Sequence, residues 1–430
     1  MPKAIEMSAA EAAAQVRSRD SIGIPLGPGQ PRTWIHALGD GDYEDLTISG
    51  ALLVDLFAVF AKPGVKLRSG FFGPAERALA AAGHAVDFVP ADFRRFAPIL
   101  ERSAPRVMAT AVAPPDADGN CSLALHAGAT VAELQRAGRD PDRLLVAEMH
   151  PDLPRTVGVP PEHPNALTLD EIDLLVPSEH PVVEKPPVPP SAEEQRIAEH
   201  IRPFVVDGAT LQTGIGGVPN AVATLLAEGP GGDYGVHSEM FTDGLMALHE
   251  AGKVTNRKGL HDGYSVTTFA FGSRALYDWL DGREDVRFLP VDQVNTPSII
   301  ARNRAMTAIN GALAIDLFGQ IAADTLGGRQ HSGIGGHEDF SEGAGIEGQA
   351  ILCLPSTATV DGKMISRIEA RLGPLLLVTT PRHQLDVVAT EYGAIELIGM
   401  TVEERAQALI QLAHPDFRDE LAAAWSAICG

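Results

Sequence analysis

The sequence predicts an α/β fold with mainly parallel sheets, built as two domains, and three observations carry that prediction. Short apolar runs rich in valine, isoleucine and leucine recur along the chain, separated by alanine-rich stretches with helical spacing. Buried strands alternating with helices give this pattern. The chain has 430 residues, more than one hydrophobic core usually serves. Between residues 180 and 195 the stretch HPVVEKPPVPPSAEEQ concentrates prolines that cannot pair in a central strand and that favour an extended linker. A first domain over 1–185 and a second over 186–430 follow.

The N-terminal MPKAIEMSAAEAAAQVRSRD is polar and alanine-rich, without the apolar centre of a secretory signal. Ser8 and Glu11 within it are spaced as a capping box that opens a helix. Strands are expected at DLTISGALLV, RVMATAVAP and RLLVAEM in the first domain. In the second they are expected at GATLQTG, AINGALAIDL, GPLLLVTT and LDVVATEYG. Ser191 with Glu194 forms another capping box, so a helix opens the second domain directly after the linker. IGIPLGPGQPRTWIHAL can be laid over LQTGIGGVPNAVATLL, matching Gly29 to Gly217, Pro31 to Pro219 and Leu38 to Leu226. Each copy reads as a strand, a Gly/Pro turn and a helix. LTISGALLVDLF then takes the place of YGVHSEMFTDGL, with leucine and valine where the second copy has Glu239. If the halves are duplicates, only the second holds the acid.

Composition narrows the function. Hydrophobic residues at 45% and charged residues at 21% are those of an ordinary soluble globular protein. A net charge of −22 disfavours nucleic acid as a partner, because its phosphates need a basic surface. A phosphorylated small molecule remains compatible, since a few local cations and backbone N–H groups overcome a repulsive average field. Three cysteines, Cys121, Cys353 and Cys429, have no metal-like spacing and are too few for a disulfide framework. No apolar run approaches the roughly 20 residues that a membrane span needs. A soluble cytoplasmic protein is expected.

Four stretches carry candidate chemistry. In TGIGGVPNAV, Gly214, Gly216 and Gly217 follow an expected strand and Pro219 stands where a helix begins. Backbone N–H groups at such a turn suit an anion, although taken alone a glycine turn between strand and helix is more often plain topology. The spacing is not the dinucleotide fingerprint, because position 219 is proline and no acidic ribose ligand follows. In LGGRQHSGIGGHEDF the glycines Gly327, Gly328, Gly333, Gly335 and Gly336 rule out a helix or strand interior and suit a backbone passing close to a ligand. His331, His337 and Asp339 accompany them at a spacing that matches no common metal motif, so no metal is expected. Lys363 and Arg367 in GKMISRIEARLGP are solvated surface or contacts for phosphate.

The fourth stretch is GVHSEMFTDG, where Glu239 is flanked by Val236, Met240 and Phe241. A carboxylate there is either a helix cap or arginine partner, or a desolvated nucleophile. A nucleophilic carboxylate needs an activated electrophile such as a thioester, a glycoside or a phosphoanhydride. Glycoside hydrolysis would require a second acid at the same bond, and Asp243 stands beyond a turn.

TGIGGVPNAV, GVHSEMFTDG, GQIAADTLGGRQHSGIGGHEDF, GKMISRI and TEYGAIELIGMTVEERAQALIQLAHPDFRDEL occur in this order. Together they resemble the acetyl-CoA hydrolase/transferase family, and within it the 4-hydroxybutyrate (butyryl) CoA-transferase branch. The likeness covers most of 195–430 and extends more faintly into the first half through GFFGPAER, APPDADGNCSLAL and LLVAEMHPDLPRTVG. The chain departs from the family pattern at Glu369 with Ala370, and at Met400. The resemblance implies two CoA-transferase-type α/β domains facing across an active-site cleft, with acyl-CoA between them. It implies that Glu239 is the nucleophile and that Gly214, Ile215, Gly216, Gly217 and Val218 line the CoA and acyl site. Gly333, Gly335 and Gly336 are then expected to contact CoA and donate N–H groups to an oxyanion, and Lys363 to meet a CoA phosphate. The implied activity moves CoA between short-chain carboxylic acids by a ping-pong route through an acyl-glutamyl anhydride and a glutamyl-CoA thioester. Water acting on the same glutamate would make the enzyme an acyl-CoA hydrolase instead. Coenzyme A is then a substrate, no further cofactor is needed, and a homodimer or larger homo-oligomer is expected.

Overall fold

The computed structural model describes residues 3–345 and 347–429. Packing divides the chain into two compact units. One runs up to Lys185 and takes in Val266–Val294; the other comprises Pro186–Ser265 and Asn295–Gly430. The break after Lys185 falls inside the proline-rich linker, whose residues 181–191 carry no regular structure. The excursion at 266–294 departs from the boundary expected from the sequence, which assigned all of 186–430 to one domain. Backbone bonds tie it to the first unit: Ala127 and Gly128 N–H donate to Thr268 O at 2.7 and 3.1 Å, Ala270 N–H to Leu125 O at 2.8 Å, and Phe288 N–H to Val157 O at 2.9 Å. Such bonds join residues far apart in the chain, and linker composition does not report them.

The first unit is organised on an eight-stranded sheet. Its strands lie in the order Ile5–Glu6, Leu174–Pro177, Leu144–Met149, Val107–Val112, Arg19–Leu26, Asp45–Ala51, Val65–Ser69, Val86–Phe88, and every pairing is parallel. Val107–Val112 is buried at all its positions, as a strand covered on both faces must be. Ile22, Trp34, Leu38 and Leu46 are fully buried in the core beside it.

In the second unit, strands Gly235–Phe241, Thr210–Thr213, Met306–Gly311, Gln349–Cys353, Val387–Thr390 and Gly393–Glu396 follow one another. All pair in parallel except the last two, which form an antiparallel hairpin. The five parallel strands repeat a run of the first unit. Thr210–Thr213 stands where Arg19–Leu26 stands, Gly235–Phe241 where Asp45–Ala51 stands, and Met306–Gly311 where Val107–Val112 stands. In both units the Gly/Pro turn and its helix leave the C-terminal end of the central strand, at Arg32–Leu38 and Gly217–Glu228. The strand order reverses on either side of that strand, and crevices at such a switch point are where open α/β sheets bind ligands.

Capping boxes occur at Ser8/Glu11, Ser191/Glu194 and Thr401/Glu404, so the first two expected helix starts hold. Two expected strands differ. AINGALAIDL breaks into Met306–Gly311 in the main sheet and Ala314–Asp316 in a separate three-stranded sheet. GPLLLVTT forms no strand. Its backbone clips onto 321–328 instead, with Gly328 N–H donating to Leu375 O at 2.9 Å and Thr379 N–H to Ile321 O at 2.7 Å, while Leu375, Leu377 and Val378 are exposed. Among the described residues no helix is long and apolar enough to cross a membrane.

Candidate active site

Glu239 lies near the C-terminal end of Gly235–Phe241, where full burial gives way to partial access at Glu239 and Met240. The strand stops because Thr242, extended at φ −129°, opens helix Asp243–Glu250. Ser238 ties this strand end to its neighbour, accepting from Thr213 N–H at 3.4 Å and donating to Thr213 O at 3.3 Å. The Glu239 carboxylate accepts from Asn295 Nδ2 at 2.7 Å. Protein surrounds it closely enough that desolvation pushes its pKa up to about 8; the Asn295 hydrogen bond opposes that rise and the nearby Asp339 charge adds to it. A carboxylate poised in this way is a stronger base and nucleophile once ionised than a surface glutamate.

The glycine loop reaches this carboxylate at one residue. A Cβ built on Gly336 would overlap Glu239 Oε2, and would lie 2.5 Å from Asn295 Nδ2 and 2.9 Å from Glu239 Cδ. Gly336 is the residue from which helix His337–Ala344 starts, and Gly335 before it adopts φ +58°, which favours glycine. Gly333 is buried. Asp324 braces the loop from below. Its carbonyl accepts from His331 and Ser332 N–H at 2.8 and 3.1 Å, and its carboxylate from Gln330 Nε2 and Thr379 Oγ1 at 3.0 and 2.8 Å. Burial pushes the pKa of His337 down to about 4, against the pull of Asp324, so its ring is neutral at pH 7. Among the described residues no group of three or more His, Cys, Asp or Glu side chains is arranged to hold a metal ion.

Residues 214–218 leave the strand neighbouring that of Glu239, at the switch point, and they divide by role. Space is open around Gly214, and Ile215 is 40% exposed. Gly216 has φ +145° and begins helix Gly217–Glu228. Val218 points into the core at 8% exposure. Gly217 is glycine for a packing reason, because a Cβ there would overlap the Glu194 carboxylate of the preceding helix. Lys363 stands exposed on an antiparallel hairpin, Thr357–Val360 with Lys363–Ser366, and no hydrogen bond or ion pair links it to the Glu239 cluster among the described residues. Arg367 is half-buried beyond the end of that hairpin, its pKa lowered by burial against the attraction of Glu391.

Sequence reading does not find Asn295. It is fully buried, follows the short helix Val291–Val294, and is 56 residues from the glutamate it touches. The one local sign is a buried-type context, QVNTPS, in which a polar side chain must find a partner. Asp339, considered with the histidines as a metal ligand, instead accepts from the same Asn295 Nδ2 at 3.0 Å.

Comparison with known proteins places the chain in a family. Residues 272–425 match the acetyl-CoA hydrolase/transferase C-terminal domain. The 4-hydroxybutyrate coenzyme A transferase of Clostridium kluyveri is 39% identical over 313 residues, 72% of this chain and 70% of that one. The succinyl-CoA:cyclohexane-1-carboxylate CoA transferase of Geobacter metallireducens is 34% identical over 420 residues, 96% and 93% of the two chains. The crystal structure of RipA from Yersinia pestis superposes with a TM-score of 0.90 at 33% identity, covering 99% of this chain and 97% of that one. With such relatives matched over most of both chains, the protein belongs to the acetyl-CoA hydrolase/transferase family, among its CoA-transferases.

Proposed function

We propose that the protein moves CoA between short-chain carboxylic acids, with Glu239 as the nucleophile. The observation that carries this reading is the seating of the Glu239 carboxylate between the Asn295 amide and a loop residue that tolerates only hydrogen. A glutamate in this position attacks an acyl-CoA carbonyl, forming an acyl-glutamyl anhydride as the C–S bond breaks and CoA thiolate leaves. The thiolate then adds to the glutamyl carbonyl, giving an enzyme–CoA thioester and releasing the first acid as its carboxylate. A second carboxylate attacks that thioester and takes the same two steps in reverse, leaving as a new acyl-CoA and restoring Glu239. The energy of one thioester is carried into the next, so the cycle consumes no other co-substrate.

Each step passes through a tetrahedral oxyanion, and preorganised donors are worth most there. Asn295 Nδ2 is one candidate donor. Backbone N–H groups of the 333–336 turn and of the open turn at Gly214 and Ile215 are the others, since glycine lets a substrate approach the main chain. The exposed Lys363 suits the phosphates of CoA, which lie far from the thioester in an extended ligand.

Intact-protein mass spectrometry after incubation with acetyl-CoA or butyryl-CoA tests this reading. The expected result is an added CoA mass that hydroxylamine removes and that is absent from Glu239→Ala. A wild-type protein without adduct across several acyl-CoAs overturns the reading. Fast CoA release that is indifferent to added acetate would instead assign the thioester to water, making the enzyme a hydrolase.

A further inference from the structure

Asp339 makes no bond in the proposed cycle, yet it is fully buried in the first turn of helix His337–Ala344 and accepts from Asn295 Nδ2. The same nitrogen donates to Glu239 Oε2. An amide nitrogen carries two N–H bonds, and here they serve two different carboxylates. Asn295 Oδ1 is buried without a hydrogen-bond partner, an arrangement that an amide keeps only where its donor end is demanded more strongly.

Once Glu239 is ionised, as attack on a thioester requires, both carboxylates make that demand. After acylation or thioester formation the side chain at 239 is a neutral carbonyl, and its own claim on a donor is much weaker. Its oxygen is nevertheless where negative charge collects in the next step. An Asn295 amide turned end for end at that stage would present Oδ1 to the developing oxyanion and repel it. Only one of the two anions then persists to prevent the turn. We propose that Asp339 is a positioning residue whose carboxylate holds the Asn295 amide with Nδ2 toward residue 239 while that residue is covalently occupied. This inference rests on Glu239 being the nucleophile.

The test compares wild type, Asp339→Ala, Asp339→Asn, Asn295→Ala and the Asn295→Ala/Asp339→Ala double variant. Single-turnover CoA-adduct formation and the steady-state KM for butyryl-CoA are measured for each, with melting temperature as a control. Asp339→Ala should slow adduct formation about 10- to 100-fold and leave KM within about threefold. Asp339→Asn, which keeps the shape but accepts through only one end of its amide, should fall between. Adding Asp339→Ala to Asn295→Ala should cost less than about twofold more, because Asp339 acts through Asn295. Multiplying costs in the double variant overturn the inference, as does a raised KM with an unchanged adduct rate. Should Asp339→Ala fail to fold, the isosteric Asp339→Asn paired with Asn295→Ala gives the same comparison. Absence of the CoA adduct in the wild type defeats the functional reading itself, whereas a normal wild-type adduct with multiplying costs defeats only the role of Asp339.

Discussion

Gly336 and Glu239 are fitted to each other so closely that the space for a side chain at 336 is already occupied by the carboxylate. The backbone of Gly336, at φ −90° and ψ 8°, is open to any L-residue, so a substitution acts through the contact and not through strain. Gly336→Ala should therefore displace Glu239 or Asn295 and slow CoA-adduct formation by about 100- to 1,000-fold, the cost of losing an aligned oxyanion donor. Stopped mixing with acyl-CoA followed by mass spectrometry measures it. A Gly336→Ala enzyme with wild-type adduct rate would show that the carboxylate has room the structure does not give it.

As the proposed nucleophile Glu239 must be ionised to attack, and burial holds it protonated up to about pH 8. In free enzyme the rate of adduct formation should rise tenfold per unit through the acidic range and level off near pH 8. A rate flat from pH 5 to pH 9 would mean that the carboxylate is ionised throughout.

The same shift has a consequence for stability, of opposite sign to the usual surface glutamate. Between the ordinary value of 4.5 and about 8, the folded protein keeps a proton that the unfolded chain has lost. Stability is therefore greatest below the lower value and declines as pH rises through that window. Glu239→Gln removes the effect, so its melting temperature should gain on the wild type at pH 8 more than at pH 5. Glu239 is partly open to solvent, which keeps the gain well under the full linkage value, on the order of 1–3 kcal/mol. Parallel melting curves for the two proteins at both pH values would refute it.

The run 373–380 makes a further test. Leu375 at 58% and Leu377 at 62% exposure bury too little apolar surface to support the core. The double change Leu375→Ser/Leu377→Ser should alter stability by no more than about 0.5 kcal/mol. A loss of several kcal/mol in urea would place both side chains in a core, as the apolar pattern of the sequence suggested.

How much of this was readable beforehand depends on the range of the interaction. The strand at Val107–Val112, the capping boxes at Ser8 and Ser191 and the linker before Ser191 are set by residues within a few positions of one another, and they are found where the sequence puts them. The apolar surroundings of Glu239 are also local. Asn295 is not, because its meaning comes from a carboxylate far away in the chain. Gly217 shows that a glycine in such a motif also has a packing reason, because a Cβ there would overlap the Glu194 carboxylate. For 266–294 the partners at 124–128 and 155–158 lie far away in the chain, and for Leu375 to Val378 a loop at 321–328, well earlier in the chain, pairs with the backbone.

The repeated sheet leaves a different question at its two matching edges. In the first unit, Gln30 Nε2 donates to the carbonyls of Ala51 and Leu52, its Oε1 accepts from Val54 N–H, and Glu76 accepts from Leu53 N–H. That end ties several of its own main-chain groups to side chains of the same unit. In the second unit the corresponding turn at Gly214 faces open space. Two copies of one scaffold thus differ in where their main-chain groups go: one end spends them on its own side chains, and the other leaves Gly214 beside open space.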